Sequence, residues 1–241
     1  MTLSLIDTHA HLDSPLHRLD PRAKIGACFL ALLAVASAPR GAIAGYWAYY
    51  AILGVLLLLS RVPLRYFASR CLLASPFVVM AAALPLLAAP GPASLPVSAS
   101  LLLRAFAAVL LLALLTATCR FHHLLWGLRR LRAPEVLTTV TGLMVRYIDL
   151  LVEEWQRAER ARESRLCGPP RSGTVRLHAR QVALVFLRSW ERADRVYAAM
   201  LARGFSGEMP LWGRRVFRGT DAFYVAAVAG AFATVRWTQG L

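Results

Sequence analysis

The chain has 241 residues, 58% of them hydrophobic and only 17% charged, and a formal charge of +15. A mean hydropathy of +0.52 lies outside the range of ordinary soluble domains and directs the chain to a membrane. The basic excess does not point to nucleic acid, because helix-turn-helix, zinc-finger and stacking-aromatic signatures are missing and the arginines alternate with helix-forming apolar residues.

The first 24 residues read as a polar cytoplasmic segment. Asp7, Asp13 and Asp20 precede any apolar core, so no cleavable signal is expected. Within the segment, Ile6-Asp7-Thr8-His9-Ala10-His11-Leu12-Asp13 resembles the opening metal motif of amidohydrolase-like nucleases. Such enzymes need further ligands on later strands of a β/α barrel. The chain shows no strand-helix alternation, and only His17, His122, His123 and His178 remain. A polar tail is therefore expected, with no catalytic, metal or cofactor residue assigned. The competing reading is a membrane-bound metal hydrolase using His9 and His11.

Uncharged apolar runs follow at 25–39, 41–60, 71–103, 105–119 and 222–235. A bilayer core ~30 Å thick needs roughly 20 helical residues, and the second run meets that length. The third is too long for one span and carries Pro85, Pro90, Pro92 and Pro96. It predicts a hairpin that turns at Ala-Pro-Gly-Pro-Ala, 89–93, between helices of about 71–89 and 97–119. Arg104 is expected to snorkel to the interface from the first turns of the second helix. The first and last runs are short, but counting them as spans makes the charges alternate. The expected fold is all-α and polytopic, with about five transmembrane helices, four in 25–119 and the last in 220–241.

Of the 28 Lys and Arg residues, 19 lie between Arg120 and Arg218, against nine acidic ones. By the positive-inside tendency this segment is cytoplasmic. Arg18, Arg22 and Lys24, and then Arg61, Arg65 and Arg70, fall on the same side, whereas the opposite connections hold only Arg40. A multi-pass protein of the cytoplasmic membrane with its N-terminus inside is expected. Cys28, Cys71, Cys119 and Cys167 are scattered, as packing residues are, without the spacing of a zinc site or disulfide framework. No Gly-rich phosphate loop occurs, so any nucleotide belongs to a partner.

Residues 120–219 read as a cytoplasmic helical arm. Leu137, Val140, Met144, Ile148, Leu151 and Trp155 recur at three-to-four spacing, which predicts a long helix with one buried face. Its far end is charged, with pairs such as Glu153 and Arg157 four apart, and Gly168-Pro169-Pro170 stops it. A second amphipathic helix is expected from about Val175 to Ala202, closed by Gly204 as a C-cap.

Three stretches carry a resemblance. Ser14-Pro15-Leu16-His17-Arg18-Leu19-Asp20-Pro21-Arg22-Ala23-Lys24 resembles the opening segment of the CbiQ-like transmembrane proteins of cobalt and nickel energy-coupling-factor importers. Ala199-Met200-Leu201-Ala202-Arg203-Gly204-Phe205 resembles that family's Ala-Arg-Gly signature at the end of a coupling helix. Ala161-Arg162-Glu163-Ser164-Arg165 resembles its companion, with Leu166 where the family usually has glycine and Gly168 two places on.

The resemblance implies a non-catalytic subunit that joins an ATP-binding cassette ATPase dimer, CbiO-like, to a substrate-binding membrane subunit, CbiM-like, with a small CbiN-like accessory subunit as a further partner. It implies a place in the bacterial inner membrane and ATPase contacts through Ser164, Arg165, Ala202, Arg203 and Gly204. The substrate is expected to be cobalt, with nickel or a vitamin as alternatives. Arginine suits such a contact because its guanidinium is always charged and offers a planar fork of donors to carboxylates and carbonyls. Ala202 and Gly204 are expected to permit close backbone approach.

Overall fold

The computed structural model describes Ser14, Leu16, 19–39, 43–88, Gly91, 94–165, 174–207 and 218–238. These residues form helices without strands: α1 (Pro21–Ala36), α2 (Ile43–Ser60), α3 (Leu64–Ala88), α4 (Ser94–Thr118), α5 (Phe121–Arg130), α6 (Glu135–Arg165), α7 (Thr174–Ala202) and α8 (Gly219–Thr238). They fall into two compact units that part between Arg132 and Ala133 and again ahead of α8. One contains α1 to α5 and α8, the other α6 and α7.

In the first unit, α3 and α4 are long and apolar enough to cross a membrane, over Leu64–Leu87 and Ser94–Thr118, and α2 supplies a shorter apolar stretch, Gly45–Ser60. The expected hairpin is present as an antiparallel pair: Tyr66 near the start of α3 shares a hydrogen bond with Thr116 near the end of α4, 3.3 Å. The turn itself, apart from Gly91, lies outside the described residues. Pro85 does not break the chain but sits inside α3 with Pro76, and Pro96 occupies the first turn of α4, where its missing N–H costs nothing. Helix α3 also begins before the apolar run, taking in Arg65 and Arg70. Both are exposed, so neither charge has to be buried to extend the helix.

The core is built from one face each of α1, α2, α4 and α8. Ala27, Ala31 and Val35 recur every four residues on α1, and Tyr46, Tyr49 and Leu53 at three-to-four spacing on α2. Leu111 and Leu114 of α4 and Val228 and Phe232 of α8 close it. The alanines let helices approach closely, the usual device where lipid offers no hydrophobic drive between helices. Tyr49 stacks on Phe232 with ring centroids 5.5 Å apart. Helix α3, by contrast, turns Leu72, Leu73, Phe77, Met80, Leu84 and Leu87 outward.

Charged residues inside this unit serve helix ends. A helix terminus leaves its last carbonyls and first amides unpaired, and a membrane offers no water to satisfy them. Lys24 is buried and its Nζ donates to the Thr118 carbonyl at the end of α4, 2.8 Å. Arg104 departs from the snorkelling expected of it: its guanidinium turns inward to the Ala38 carbonyl just beyond α1 and to Tyr46 Oη. A cation beside a helix C-terminus also gains from the macrodipole.

Two connections share a pattern. Arg61 and Arg132 adopt left-handed backbone, φ 55° and 68°, each two residues before a proline, Pro63 and Pro134, at which the next helix starts. A left-handed residue ends a helix, and a following proline prevents its continuation. An arginine there costs about 1 kcal/mol that glycine would not.

Candidate functional site

Helices α6 and α7 run antiparallel and are tied near one crossing. Arg162 donates to Gln181 Oε1, 2.9 Å, and Gln181 Nε2 to the Trp155 carbonyl, 3.4 Å. Gln181 is buried there beside Ala158, itself buried, and a small residue lets the backbones meet. One turn further, the Glu154 carboxylate receives Arg188 and lies 3.9 Å from Arg192. The Arg188 hydrogen bond, helped by the positive field of Arg188, Arg157 and Arg192, holds the Glu154 carboxyl below its ordinary value.

Away from the crossing the pair opens. Val140, Leu143 and Tyr147 of α6 face Val196, Tyr197 and Met200 of α7 across a groove of about 560 Å³. The buried face expected on α6 is not found within its unit: Leu137, Val140, Met144, Ile148 and Leu151 stay exposed because the pair opens there, and the buried residues of α6 are Thr138, Thr139 and Ala158. Helices joined at one crossing can change their mutual angle by repacking few side chains.

The five residues expected to carry the ATPase contact lie at the two far ends of this pair. Ser164 and exposed Arg165 close α6, with Ser164 Oγ donating to the Ala161 carbonyl, 3.1 Å. Leu166 and Gly168 lie outside the described residues. Ala202, Arg203 and Gly204 close α7 at the opposite end, near the start of α6, whose Val136 and Thr139 line the same groove as Met200 and Phe205. The structure does not bring Arg165 and Arg203 together: at about 1.5 Å per residue along α6 they stand roughly 40 Å apart.

The end of α7 has a defined shape. The Phe205 amide donates to the Met200 carbonyl, 3.0 Å, and the Gly204 amide to the Leu201 carbonyl, 2.9 Å. This is a Schellman cap with Gly204 at the left-handed position, φ 80°,. Arg203, exposed, is thus the last residue before a sharp reversal. Close approach inside this chain is not the reason for the glycine, since a Cβ at Gly204 would meet nothing within 4 Å. Positive φ is.

Several residues of consequence were not singled out by motif. Helix α5 holds two histidines and two arginines in ten residues, which hides it, although Phe121, Leu124, Leu125 and Leu128 already carry the i, i+3, i+4, i+7 spacing of a one-sided helix. It belongs with the apolar unit and not with α6 and α7. Trp126 is buried there, with the Arg22 guanidinium 4.5 Å and that of Arg130 5.8 Å from its ring centre. Asp221, at the start of the last apolar run, is 2% exposed and accepts from two backbone amides. His9 and His11 lie outside the described residues, and among those residues no group of three or more metal-ligating side chains gathers.

A family model described as Cobalt transport protein, CbiQ, matches residues 13–212. Cobalt transport protein CbiQ of Rhodobacter capsulatus is 34% identical over 200 residues, 79% of this chain and 80% of that protein. Two uncharacterized proteins of Methanocaldococcus jannaschii are 31% and 28% identical over 97 and 99 residues, 40% of this chain in each case and 36% and 33% of their own lengths.

Proposed function

This chain belongs to the CbiQ family of cobalt transport proteins, and we propose that it is the transmembrane coupling subunit of an ATP-driven energy-coupling-factor importer of cobalt. It is a membrane component of cobalt transport. In the proposed role it neither binds ATP nor captures the ion. It joins an ATPase dimer to a separate substrate-binding membrane subunit, with a small accessory subunit as a further partner. Residues 25–119 and 220–241 hold about five spans, the N-terminus is cytoplasmic, and 120–219 form the cytoplasmic coupling segment of an inner-membrane protein.

The observation that carries this reading is the placement of the arginines. A helix pair that forms its own unit ends, at both extremities, in an exposed arginine on a helix C-terminus. Two contact points roughly 40 Å apart suit two separate ATPase subunits better than one. Each guanidinium, with Ser164 or the Ala202–Gly204 turn beside it, offers a fork of donors to a groove on its subunit. When ATP draws the subunits together, the tips must follow. The single crossing at Gln181 lets the angle of the pair change while the polar links keep it one body.

Substrate choice between cobalt and nickel rests with the partner subunit, and the family favours cobalt. The test is cellular cobalt accumulation with the chain replaced by an Arg165→Ala, Arg203→Ala variant. Uptake is expected to fall to about the level without the chain, since each lost charge-assisted contact is worth roughly 1.5–3 kcal/mol. Uptake at the wild-type rate, with the variant present in the membrane at equal amount, would remove both arginines from the coupling role.

A further inference from the structure

Among the described helices the chain passes from one unit to the other after α5 and back again before α8, and both of these helices are fastened to the same turn of α1. On the outward crossing, α5 precedes α6 by only four residues, of which Arg132 is held at φ 68° and Pro134 has a fixed φ,. This connection has little slack. Helix α5 in turn is seated on the start of α1: a Cβ at Gly127 would come within 2.9 Å of Ile25 Cδ1 and 3.1 Å of Pro21 Cβ. The neighbouring Trp126 ring lies under the Arg22 guanidinium, an attraction that strengthens when desolvated.

On the return crossing, the first helix described is α8, and its first turn is fastened to the same place. Asp221 Oδ2 accepts from the Arg218 amide, 2.8 Å, closing the start of α8, while Oδ1 accepts from the Asp20 amide, 2.9 Å. Asp20 caps α1 itself by accepting from the Arg22 amide, 2.9 Å. One carboxylate therefore holds the N-terminal ends of two helices, using both of its oxygens. Lys24, one turn on, holds the end of α4 through the Thr118 carbonyl. Within the turn Asp20–Lys24 and the Ile25 that follows it, α4, α5 and α8 are each tied to α1.

We infer that the first turn of α1 is where motion of the coupling segment enters the membrane helices, with Asp221 and Gly127 as the positioning residues that transmit it. The inference rests on the coupling reading above and adds the route. A tilt of α6 is passed through the short α5 connection to Pro21 and Ile25, and a pull on α8 through Asp221 to the Asp20 amide. Both displacements converge on α1, whose alanine face is packed against the rest of the core. Neither residue needs to touch the ion or the ATPase.

The test uses the complex co-purified through a tagged chain and placed in liposomes, with ATP hydrolysis and radioactive cobalt entry measured on the same sample. Three variants are compared with wild type: Asp221→Asn, whose amide can no longer accept both backbone N–H groups; Gly127→Ala, in which Pro21 and Ile25 must yield by a few tenths of an ångström; and Asp221→Glu, which keeps both oxygens. Asp221→Asn and Gly127→Ala are expected to retain the ATPase and its turnover within about twofold while cobalt moved per ATP falls about tenfold, the first by loss of a charge-assisted bond and the second by overpacking the α1–α5 contact,. Asp221→Glu should recover most of that ratio. If transport and hydrolysis fall in parallel, or if the cobalt-to-ATP ratio stays at the wild-type value, the route is wrong. The Arg165→Ala, Arg203→Ala chain is carried in the same set. Retention of the ATPase by that chain would overturn the coupling reading itself, whereas its loss together with unchanged ratios in the other variants would overturn the route alone.

Discussion

At the scale of single residues, the charged side chains divide by what they face. Lys24, Arg104 and Asp221 are drawn into the apolar unit because helix ends there expose carbonyls and amides that no water can reach. Arg165 and Arg203 are exposed. Their difference was legible only in part. Composition marks Arg104 as an unusual charge, but not whether it turns out to the interface or in to the Ala38 carbonyl, because that depends on how α1 and α4 meet. Gly204 was legible as a helix cap, and its φ of 80° makes a specific outcome follow. Gly204→Ala should cost about 1 kcal/mol and fray the last turn of α7, seen as faster amide exchange at Gly204 and Phe205, whose bonds close the cap. Unchanged exchange at those amides would mean that the reversal does not depend on glycine.

At the scale of elements, the long helices follow from periodicity and their ends from capping chemistry, whereas their pairing does not. The spacing of Leu137, Val140, Met144 and Ile148 shows one apolar face on α6, yet the close contact to α7 is made further along, through Gln181, Ala158, Arg162 and Glu154. Polar residues at a helix crossing carry no period by which to find them. Glu154 ties this crossing to pH. Its carboxyl is held below the ordinary value by the Arg188 hydrogen bond first, so the ionised form stabilises the folded pair. That contribution is complete above the unfolded glutamate value, roughly pH 4.3, and is lost as pH falls through the lower folded value. Because Arg188 and Arg192 are about half exposed, the contribution is on the order of 1 kcal/mol. Thermal unfolding followed by circular dichroism at neutral pH and near pH 3 should show a smaller acid-induced loss for Glu154→Gln than for wild type. An identical loss would place the acid sensitivity elsewhere.

At the scale of the whole molecule, composition already directed the chain to a membrane, and runs of uncharged residues located α2, the α3–α4 hairpin and α8. Boundaries moved where a charge could be accommodated: α1 starts at Pro21 and not after Lys24, because Lys24 finds the Thr118 carbonyl. Helix α5 was hidden by its histidines and arginines, and its attachment to α1 through Gly127 is a matter of tertiary packing that no local pattern records. The short arginine motifs, each weak alone, were informative in combination, and the family match over 13–212 spans the opening segment and the Ala-Arg-Gly signature together. What neither motif nor family match conveys is that the two arginines stand at opposite ends of one helix pair. A single contact patch could not use both; a two-subunit engine could.

The most direct measurement is recovery of partners on a tagged chain, solubilised in mild detergent from its native host and analysed by mass spectrometry. The coupling role predicts that wild type brings down an ATP-binding cassette ATPase and a second membrane protein, and that Arg165→Ala, Arg203→Ala keeps the membrane protein but loses the ATPase. Recovery of the ATPase in equal amount on the double variant, or recovery of the wild-type chain with no ATPase at all, would contradict it.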